Sequence, residues 1–299
     1  GAPNAGKSTL VNALVGSKVS IVSPKVQTTR MRVIGIAMAD LPGESAAEGE
    51  RAQVVLVDTP GIFRIAKRRL ERAMVAAAWQ GAEDADVVAL VIDAERGVGE
   101  ETRAIIERLK ESKAPRYLVL NKIDLVPREK LLTLTAEVNA LLPFESVFMV
   151  SALKNDGVAD ILKTVAARLP AGPFLYPEDQ AADLPLRLLA AEVTREQVFL
   201  QLHQELPYEA AVETEKWEER KDGGVRIEQT IHVQREGQRA IVLGKGGAKI
   251  KQIGARARHE LGQMLERPVH LFLHVKVSER WAEDPSHYRT IGLDFEPKK

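Results

Sequence analysis

The sequence predicts an α/β domain with a mainly parallel sheet, followed by a small α+β domain. Up to about residue 170, short apolar runs recur about every 30 residues with helical patterns between them, which is typical of βα units. A stretch rich in proline and glycine then interrupts this rhythm. Beyond it, strands and helices follow without regular alternation, and the last strand shows the two-residue period of a sheet with one buried face.

Length, charge and cysteine content exclude several classes of protein. The 299 residues are enough for about two domains. The 42 Lys and Arg residues balance 42 Asp and Glu, which excludes a uniformly basic nucleic-acid binder but not a local basic face. The chain has no cysteine, so a disulfide framework, a thiolate nucleophile and a cysteine-bound zinc site are excluded.

The predicted first domain covers residues 1–170, the linker 171–186 and the second domain 187–299. The clearest strands of the first domain are short and rich in Val, Ile and Leu, and they cover 54–57, 87–92, 117–120 and 147–150. The second domain is predicted to contain a helix over 187–202, strands over 210–218, 226–234 and 239–243, a long helix and a strand over 269–277. Ligands of parallel α/β sheets bind at the carboxyl ends of strands, so the residues after each strand are site candidates.

The chain opens with G-x-x-x-x-G-K-S, the pattern of a phosphate-binding P-loop. Its glycines allow backbone N–H groups to wrap around phosphate oxygens, while Lys7 supplies an ammonium and Ser8 a hydroxyl ligand for Mg²⁺. Such a loop follows a strand, so we expect the first strand of the domain to lie before Gly1. The residues predicted to hold the phosphates are Gly1, Asn4, Ala5, Gly6, Lys7, Ser8 and Thr9.

Three further loops at predicted strand ends indicate a guanine nucleotide and Mg²⁺. Asp58 follows a strand and can hold Mg²⁺, and the N–H of Gly61 can approach the γ-phosphate. Asp124 of the N-K-x-D motif can accept hydrogen bonds from guanine N1–H and its amine, a donor pair that adenine lacks. The other residues predicted to contact the nucleotide are Thr59, Pro60, Asn121, Lys122, Ser151 and Ala152.

Two threonines, Thr28 and Thr29, lie between the first two motifs. A threonine there can ligate Mg²⁺ and donate its N–H to the γ-phosphate only while that phosphate is present, as in a switch loop. We favour Thr29 and leave Thr28 open. The predicted metal ligands are then Ser8, Thr29 and Asp58, and the predicted catalytic residues are Lys7, Thr29 and Gly61.

The second domain carries a G-x-x-G turn in front of a long helix, the signature of an RNA-binding KH domain. Its glycines admit a nucleic-acid backbone where a Cβ would interfere. From Arg235 to Arg258 there are seven basic residues and one acidic residue, which predicts a local patch for phosphates. The predicted RNA-binding residues are Gly244, Lys245, Gly246, Gly247, Lys249 and Lys251.

With these motifs the chain resembles the translation-factor-related GTPases, and specifically the Era family. The resemblance covers essentially the whole chain and implies a P-loop GTPase domain followed by a type II KH domain. It implies hydrolysis of GTP to GDP with Mg²⁺, binding to the 3′ end of 16S ribosomal RNA, and a role in maturation of the small ribosomal subunit. It also implies a cytoplasmic location, with peripheral association at the inner face of an anionic membrane. No DNA partner is expected.

Hydrolysis is expected to be slow, because Ile62 stands where many small GTPases place a glutamine that orients the attacking water. Asn4 and the switch backbone are candidates for binding K⁺ near the phosphates, the alternative being that Asn4 only shapes the loop. His203, His232, His259 and His287 show no metal-ligand spacing. Two other functions stay open: an RNA-binding module whose nucleotide site is mainly structural, and a membrane-associated signalling GTPase.

Overall fold

The computed structural model describes residues 1–41, 50–63, 65–66, 68–203, 206–279 and 281–295. They divide into two compact units. The first contains Gly1–Ser20 and Thr29–Asp183, and the second contains Ile21–Thr28 and Leu184–Phe295. A short early segment of the chain therefore belongs to the second unit. No helix among these residues is both long and apolar enough to cross a membrane.

The first unit contains the elements α1 Lys7–Val15, β1 Val33–Asp40, β2 Arg51–Asp58, α2 Arg69–Glu83, β3 Val88–Asp93, α3 Glu100–Leu109, β4 Arg116–Asn121, α4 Arg128–Leu141, β5 Ser146–Val150, α5 Val158–Ala166 and β6 Ala182–Asp183. The second unit contains α6 Leu186–Gln201, β7 Ala211–Glu219, β8 Val225–Val233, α7 Glu236–Leu243, α8 Ala248–Met264, β9 Val269–Val277 and α9 Pro285–Thr290.

Strands β3, β4 and β5 form the parallel part of the first unit, in the order β3-β4-β5. Side chains of β4 are buried on both faces, as the near-continuous apolar run predicts, and Leu118, Val119 and Leu120 are each 0% exposed. The register pairs Asp93 with Asn121 across β3 and β4. The polar residues at the strand ends consequently lie at one edge of the sheet.

Strand β1 was not among the predicted strands, and it forms the centre of a second sheet in this unit. It runs antiparallel to β2 along its whole length and antiparallel to β6 near its start. Residues 182 and 183 of the predicted linker thus form the short strand β6. The side-chain amide of Gln53 donates to the Tyr176 carbonyl at 2.8 Å and accepts from the Leu175 N–H at 2.9 Å, which fixes the start of this connection.

The second unit has a sheet in the order β7-β8-β9, with β7 antiparallel and β9 parallel to β8. Helices α6 and α8 contribute apolar side chains to its core, where Val198, Ile231 and Ile253 are 0% exposed. Exposed side chains alternate with more buried ones along β9, which confirms the two-residue period seen in the sequence.

The predicted strand over 239–243 is wrong, because these residues form the second half of helix α7. The β-branched pair Ile241-Val242 favoured a strand. The start of the helix decides otherwise: the Gln238 side chain accepts the N–H groups of Gln234 at 2.8 Å and Arg235 at 3.1 Å. Val242 is 0% exposed, so packing also holds the helix in place. The G-x-x-G turn therefore joins two helices rather than a strand and a helix.

Helix α6 differs from an ordinary amphipathic helix. Eleven of its 16 residues are buried, among them Glu192, Thr194, Arg195, Glu196, Gln197 and Gln201. Buried polar groups are costly unless they are hydrogen-bonded. Thr194, for example, donates to the side-chain oxygen of Gln229 at 2.6 Å.

Candidate functional site

Lys7 and Gly6 determine the shape of the loop before α1. The Lys7 ammonium donates to the carbonyl oxygens of Gly1 at 3.1 Å and Ala2 at 3.0 Å. Burial lowers the pKa of Lys7 to about 8, although the negative charge of Asp58 acts in the opposite direction. Gly6 has a φ of 91°, and a Cβ there would lie 2.2 Å from Nδ2 of Asn121. Glycine is therefore required at the start of α1, where N–H groups and helix dipole favour an anion.

The three predicted metal ligands offer oxygen atoms of the kind that Mg²⁺ prefers. The hydroxyls of Ser8 and Thr29 lie 2.7 Å apart. Asp58 is 1% exposed, and the hydroxyls of Ser8 and Ser20 lie beside its carboxylate, although neither carboxylate oxygen makes a hydrogen bond of good geometry within the described part of the chain. Burial raises the pKa of Asp58, while the neighbouring Ser8 hydroxyl and Lys7 ammonium act against that rise. A buried carboxylate that has only hydroxyls beside it and no hydrogen bond of good geometry fits a divalent cation at this place.

Thr28 and Thr29, the two candidates for the switch ligand, have different surroundings. Thr29 is 8% exposed and faces the Ser8 hydroxyl. The Thr28 hydroxyl instead donates to the Lys25 carbonyl at 2.7 Å and is also hydrogen-bonded to the Ser23 hydroxyl. Only Thr29 contacts a residue of the P-loop helix through its side chain.

Asn121 ties two loops together at the carboxyl end of β4. Its side-chain nitrogen donates to the Ala5 carbonyl at 2.9 Å, and its side-chain oxygen accepts from the Ala152 N–H at 3.0 Å. Asn121 is 2% exposed, so these bonds are shielded from water. The phosphate loop and the loop after β5, which carries Ser151, are thereby held in register.

Sequence reasoning missed Asp93, at the carboxyl end of β3. Its carboxylate lies 2.6 Å from the Lys122 ammonium, which also donates to the Asn4 carbonyl at 2.9 Å. Asp93 is itself held, because its other oxygen accepts from the backbone N–H groups of Glu95 and Arg96. The Lys122 side chain is thus fixed at its tip. An isolated aspartate after a strand belongs to no motif. The one signal for it was that its strand would pair with the strand that ends at N-K-x-D.

Asp124 is ionised at neutral pH and has two side-chain neighbours. A hydrogen bond from Ser151 holds the pKa of Asp124 below its usual range, and the ammonium of Lys154 lies 3.5 Å from its carboxylate. Ser151, one of the predicted nucleotide contacts, is thereby brought to the carboxylate of Asp124. Lys154 was not predicted, because an exposed lysine in a loop carries no signal of its own.

Gly61 lies against the phosphate loop. A Cβ on Gly61 would lie 2.9 Å from Cα of Pro3, and the N–H of Ile62 donates to the Gly1 carbonyl at 3.3 Å. The Ile62 side chain packs against the apolar cluster that contains Trp79 and Leu90. Thr59 and Pro60 lead from β2 to this contact, and Thr9 lies in the first turn of α1.

The turn Gly244–Gly247 of the second unit is open. Gly244, Gly246 and Gly247 have φ values of 68°, 59° and 77°. Within the described residues, a Cβ on Gly246 would meet nothing within 4 Å apart from its chain neighbours. Lys245 and Lys251 are exposed, and Lys249 contacts Gln252 at 3.2 Å. The turn combines a backbone without side chains and a surrounding positive charge, the two features that a phosphate backbone needs.

Two further features of this unit have no clear signal in the sequence. Ile241, on the helix before the turn, is 56% exposed although it is apolar. Glu213 lies 3.2 Å from Nδ1 of His287 and 3.4 Å from Nε2 of His232, and these two imidazoles hold the pKa of Glu213 well below its usual range. The two histidines have no regular spacing along the chain, and folding brings both of them to Glu213.

Known proteins match both units. A family model described as "50S ribosome-binding GTPase" matches residues 1–122, and a KH domain model matches residues 205–282. GTPase Era of Afipia carboxidovorans is 58% identical over 299 residues, which are 100% of this chain and 93% of that protein. GTPase Era of Sinorhizobium medicae is 58% identical over 295 residues, with 99% and 92% covered. The chain belongs to the Era GTPase family. The resemblance seen in the sequence is thus confirmed.

Solved structures of the Era family have the same fold. A variant from Aquifex aeolicus bound to GDP·AlF4⁻ is 40% identical, with a TM-score of 0.88 over 97% of this chain and 96% of that one. An Era structure in complex with MgGDPNP and nucleotides 1506–1542 of 16S ribosomal RNA is also 40% identical, with a TM-score of 0.89 over 98% and 96%. The predicted fold class, a P-loop GTPase domain followed by a KH domain, is confirmed, and the chain is a GTPase.

Proposed function

We propose that this GTPase is a guanine-nucleotide switch that controls its own hold on the 3′ end of 16S ribosomal RNA and so assists assembly of the small ribosomal subunit. One observation carries the proposal: a relative similar over the whole chain was solved with a Mg-bound GTP analogue and with nucleotides 1506–1542 of that RNA together. This chain has the loops for both ligands.

Mg²⁺ and the nucleotide are assigned to the residues singled out above. Ser8, Thr29 and Asp58 hold the cation, and Asp124 selects guanine with support from Asn121, Lys122, Ser151 and Ala152. Two observations support this assignment: the Ser8 and Thr29 hydroxyls lie 2.7 Å apart, and the buried carboxylate of Asp58 makes no hydrogen bond of good geometry within the described residues. When bound, Mg²⁺ neutralises charge on the β and γ phosphates.

Catalysis is assigned to groups that stabilise charge rather than to a general base. Lys7 presents its ammonium at the start of α1, Gly61 offers a backbone N–H, and Thr29 supplies a hydroxyl and an N–H. Ile62 is turned into the apolar cluster and cannot orient water, so the basal rate is low. A K⁺ ion at Asn4 is the proposed supplement, and hydrolysis measured in KCl and in NaCl tests it: equal rates would leave Asn4 with a role in shaping the loop only.

The RNA is assigned to Gly244, Lys245, Gly246, Gly247, Lys249 and Lys251. Open space at Gly246 and the exposed lysines support it. The functional boundaries proposed are residues 1–170 for GTP, 171–186 for the linker and 187–299 for RNA. A cytoplasmic location with peripheral attachment to the inner membrane face completes the proposal.

The test is fluorescence anisotropy of an RNA with the sequence of the 16S 3′ end, titrated with protein in GTP analogue or in GDP. We expect at least a fivefold difference in RNA affinity between the two nucleotide states, a coupling of about 1 kcal/mol. By linkage, the RNA must change the affinity for the GTP analogue by the same factor.

Two outcomes would replace the proposal. Equal RNA affinity in both nucleotide states, with tight nucleotide binding, would make the chain an RNA-binding module with a structural nucleotide site. Flotation with anionic vesicles that RNA does not displace would instead favour a membrane-associated signalling GTPase.

A further inference from the structure

The segment Ile21–Thr28 is held by helix α6 within the second unit. The Val22 N–H donates to the carboxylate of Glu196 at 2.7 Å. The Lys25 ammonium donates to the carbonyl oxygens of Phe199 and Leu202, at the end of α6, where a cation complements the helix dipole. The beginning and the middle of the segment are thereby fixed.

The end of the segment is fixed by Arg195. Its guanidinium donates to the Thr28 carbonyl and pairs with Glu192 one turn earlier in the helix. Arg195 is 2% exposed, and its guanidinium lies over the Phe199 ring at 5.1 Å from the centroid. A planar guanidinium held on both sides is a rigid donor.

The carbonyl that Arg195 grips belongs to the same peptide group as the N–H of Thr29. A peptide group is planar and trans, so its C=O and N–H point in opposite directions and turn together. Fixing the Thr28 carbonyl therefore fixes the direction of the Thr29 N–H and the position of its Cα, from which the side chain extends. The Thr29 hydroxyl lies 2.7 Å from that of Ser8.

We propose that Arg195 is a positioning residue for GTP binding and hydrolysis, which sets the orientation of Thr29 by holding the Thr28–Thr29 peptide group. The inference rests on the proposed role of Thr29 toward Mg²⁺ and the γ-phosphate. Thr29 serves only the nucleotide that carries a γ-phosphate. Arg195 consequently matters for GTP and not for GDP, although it lies in the RNA-binding half of the sequence.

The experiment measures the affinity for a GTP analogue and for GDP in Mg²⁺, and the hydrolysis rate, all without RNA. Arg195→Lys keeps the charge beside Glu192 but removes the planar fork. We expect roughly tenfold weaker binding of the GTP analogue and slower hydrolysis, with GDP affinity unchanged. Arg187→Lys is the matched control, because Arg187 also lies on α6 and donates to backbone carbonyls, those of Thr214 and Glu215. This control variant should leave both nucleotide affinities and the hydrolysis rate unchanged.

Equal losses for GTP analogue and GDP, or no loss for either, would overturn the proposal. If Arg195→Lys does not fold, the neutral pair Arg195→Met with Glu192→Gln gives the same test without a lone buried charge. The double variant should show the same selective loss of GTP-analogue binding as Arg195→Lys.

The role of Thr29 is tested separately. Thr29→Ala should weaken GTP-analogue binding selectively, and Arg195→Lys should then add less than it does alone, because both act on the same group. Full additivity would overturn the positioning role of Arg195. No GTP-selective loss in Thr29→Ala would instead overturn the ligand role of Thr29, whatever Arg195 does.

Discussion

The nucleotide loops of the first unit and the glycine turn of the second are both candidate phosphate sites, built in opposite ways. Around the P-loop, Asn121 and Lys122 bond to loop carbonyls, and Gly6 is so crowded that a Cβ would lie 2.2 Å from Asn121. At Gly246 a Cβ would have open space. A tightly bonded loop of this kind suits a compact ligand of one shape, whereas an open turn suits a polymer backbone.

The cations of the two sites differ in the same way. Lys7 is half-buried and its pKa is lowered to about 8 by loss of solvation, while Lys245 and Lys251 are exposed. One partly desolvated ammonium interacts strongly over a short range, and several exposed ones act through a field that salt screens. The comparison predicts that the first site depends on individual contacts and the second on summed charge.

The largest expected effect is at Asp124, the residue of the first site that is proposed to select guanine. In Asp124→Asn, an amide donor replaces one of two acceptors and opposes the donors of guanine. We expect GTP affinity to fall by at least ~2 kcal/mol and XTP binding to appear, because xanthine presents a carbonyl there. Nucleotide titrations measure both affinities, and Asp160→Asn, at an exposed position on α5, is the control. Equal losses of GTP and XTP would contradict the role of Asp124.

The next effect concerns the open turn Gly244–Gly247. Gly246→Asp places a carboxylate beside the path proposed for RNA phosphates, so RNA affinity should fall about tenfold and its dependence on salt should weaken. Nucleotide affinity without RNA should stay the same. Gly223→Asp is a matched control, because Gly223 also has a positive φ of 79° and open space, in the turn between β7 and β8. Equal RNA binding by both variants would remove the turn from the interface.

A smaller effect is expected from Asp93, which fixes the tip of Lys122. Asp93→Asn removes the ionic partner at 2.6 Å, and we expect GTP and GDP to weaken alike by about fivefold, roughly 1 kcal/mol, with kcat unchanged. A double-mutant cycle with Lys122→Met measures whether the two act together. Additive losses would mean that Asp93 acts on the fold and not through Lys122.

The smallest effect is a pH dependence confined to the first site. Anionic phosphates stabilise protonated Lys7, so its pKa is higher with nucleotide bound than the value of about 8 without it. Affinity is then complete below pH 8 and declines as the pH rises above it, because binding must take up a proton. We expect a loss of a few-fold between pH 7.5 and about 8.5, measured by calorimetry in two buffers. An affinity independent of pH would contradict it.

Local motifs made much of the first site predictable, and contacts distant in sequence explain what was missed. The P-loop and N-K-x-D are contiguous, and each stands at a strand end that its apolar run reveals. Asp93 reaches Lys122 only because β3 and β4 pair in register. In the second unit, the residues 239–243 were assigned to the wrong element because the cap from Gln238 outweighs the preference of Ile241 and Val242 for strands. Nothing near Arg195 in sequence indicates Thr28.

The buried charges of helix α6 also affect how this gene can be divided and recombined. Because Arg195 and Glu196 bond to Thr28 and Val22, the second unit is encoded in two separate pieces. A chain that begins at Leu184 would remove the hydrogen bonds that those groups of α6 make with Thr28 and Val22. If distant relatives exchanged the part of the gene that follows Asp183, helix α6 of one protein would meet the segment Ile21–Thr28 of another. The two would not have evolved together. Inheritance of the second unit is thereby tied to the eight codons for Ile21–Thr28.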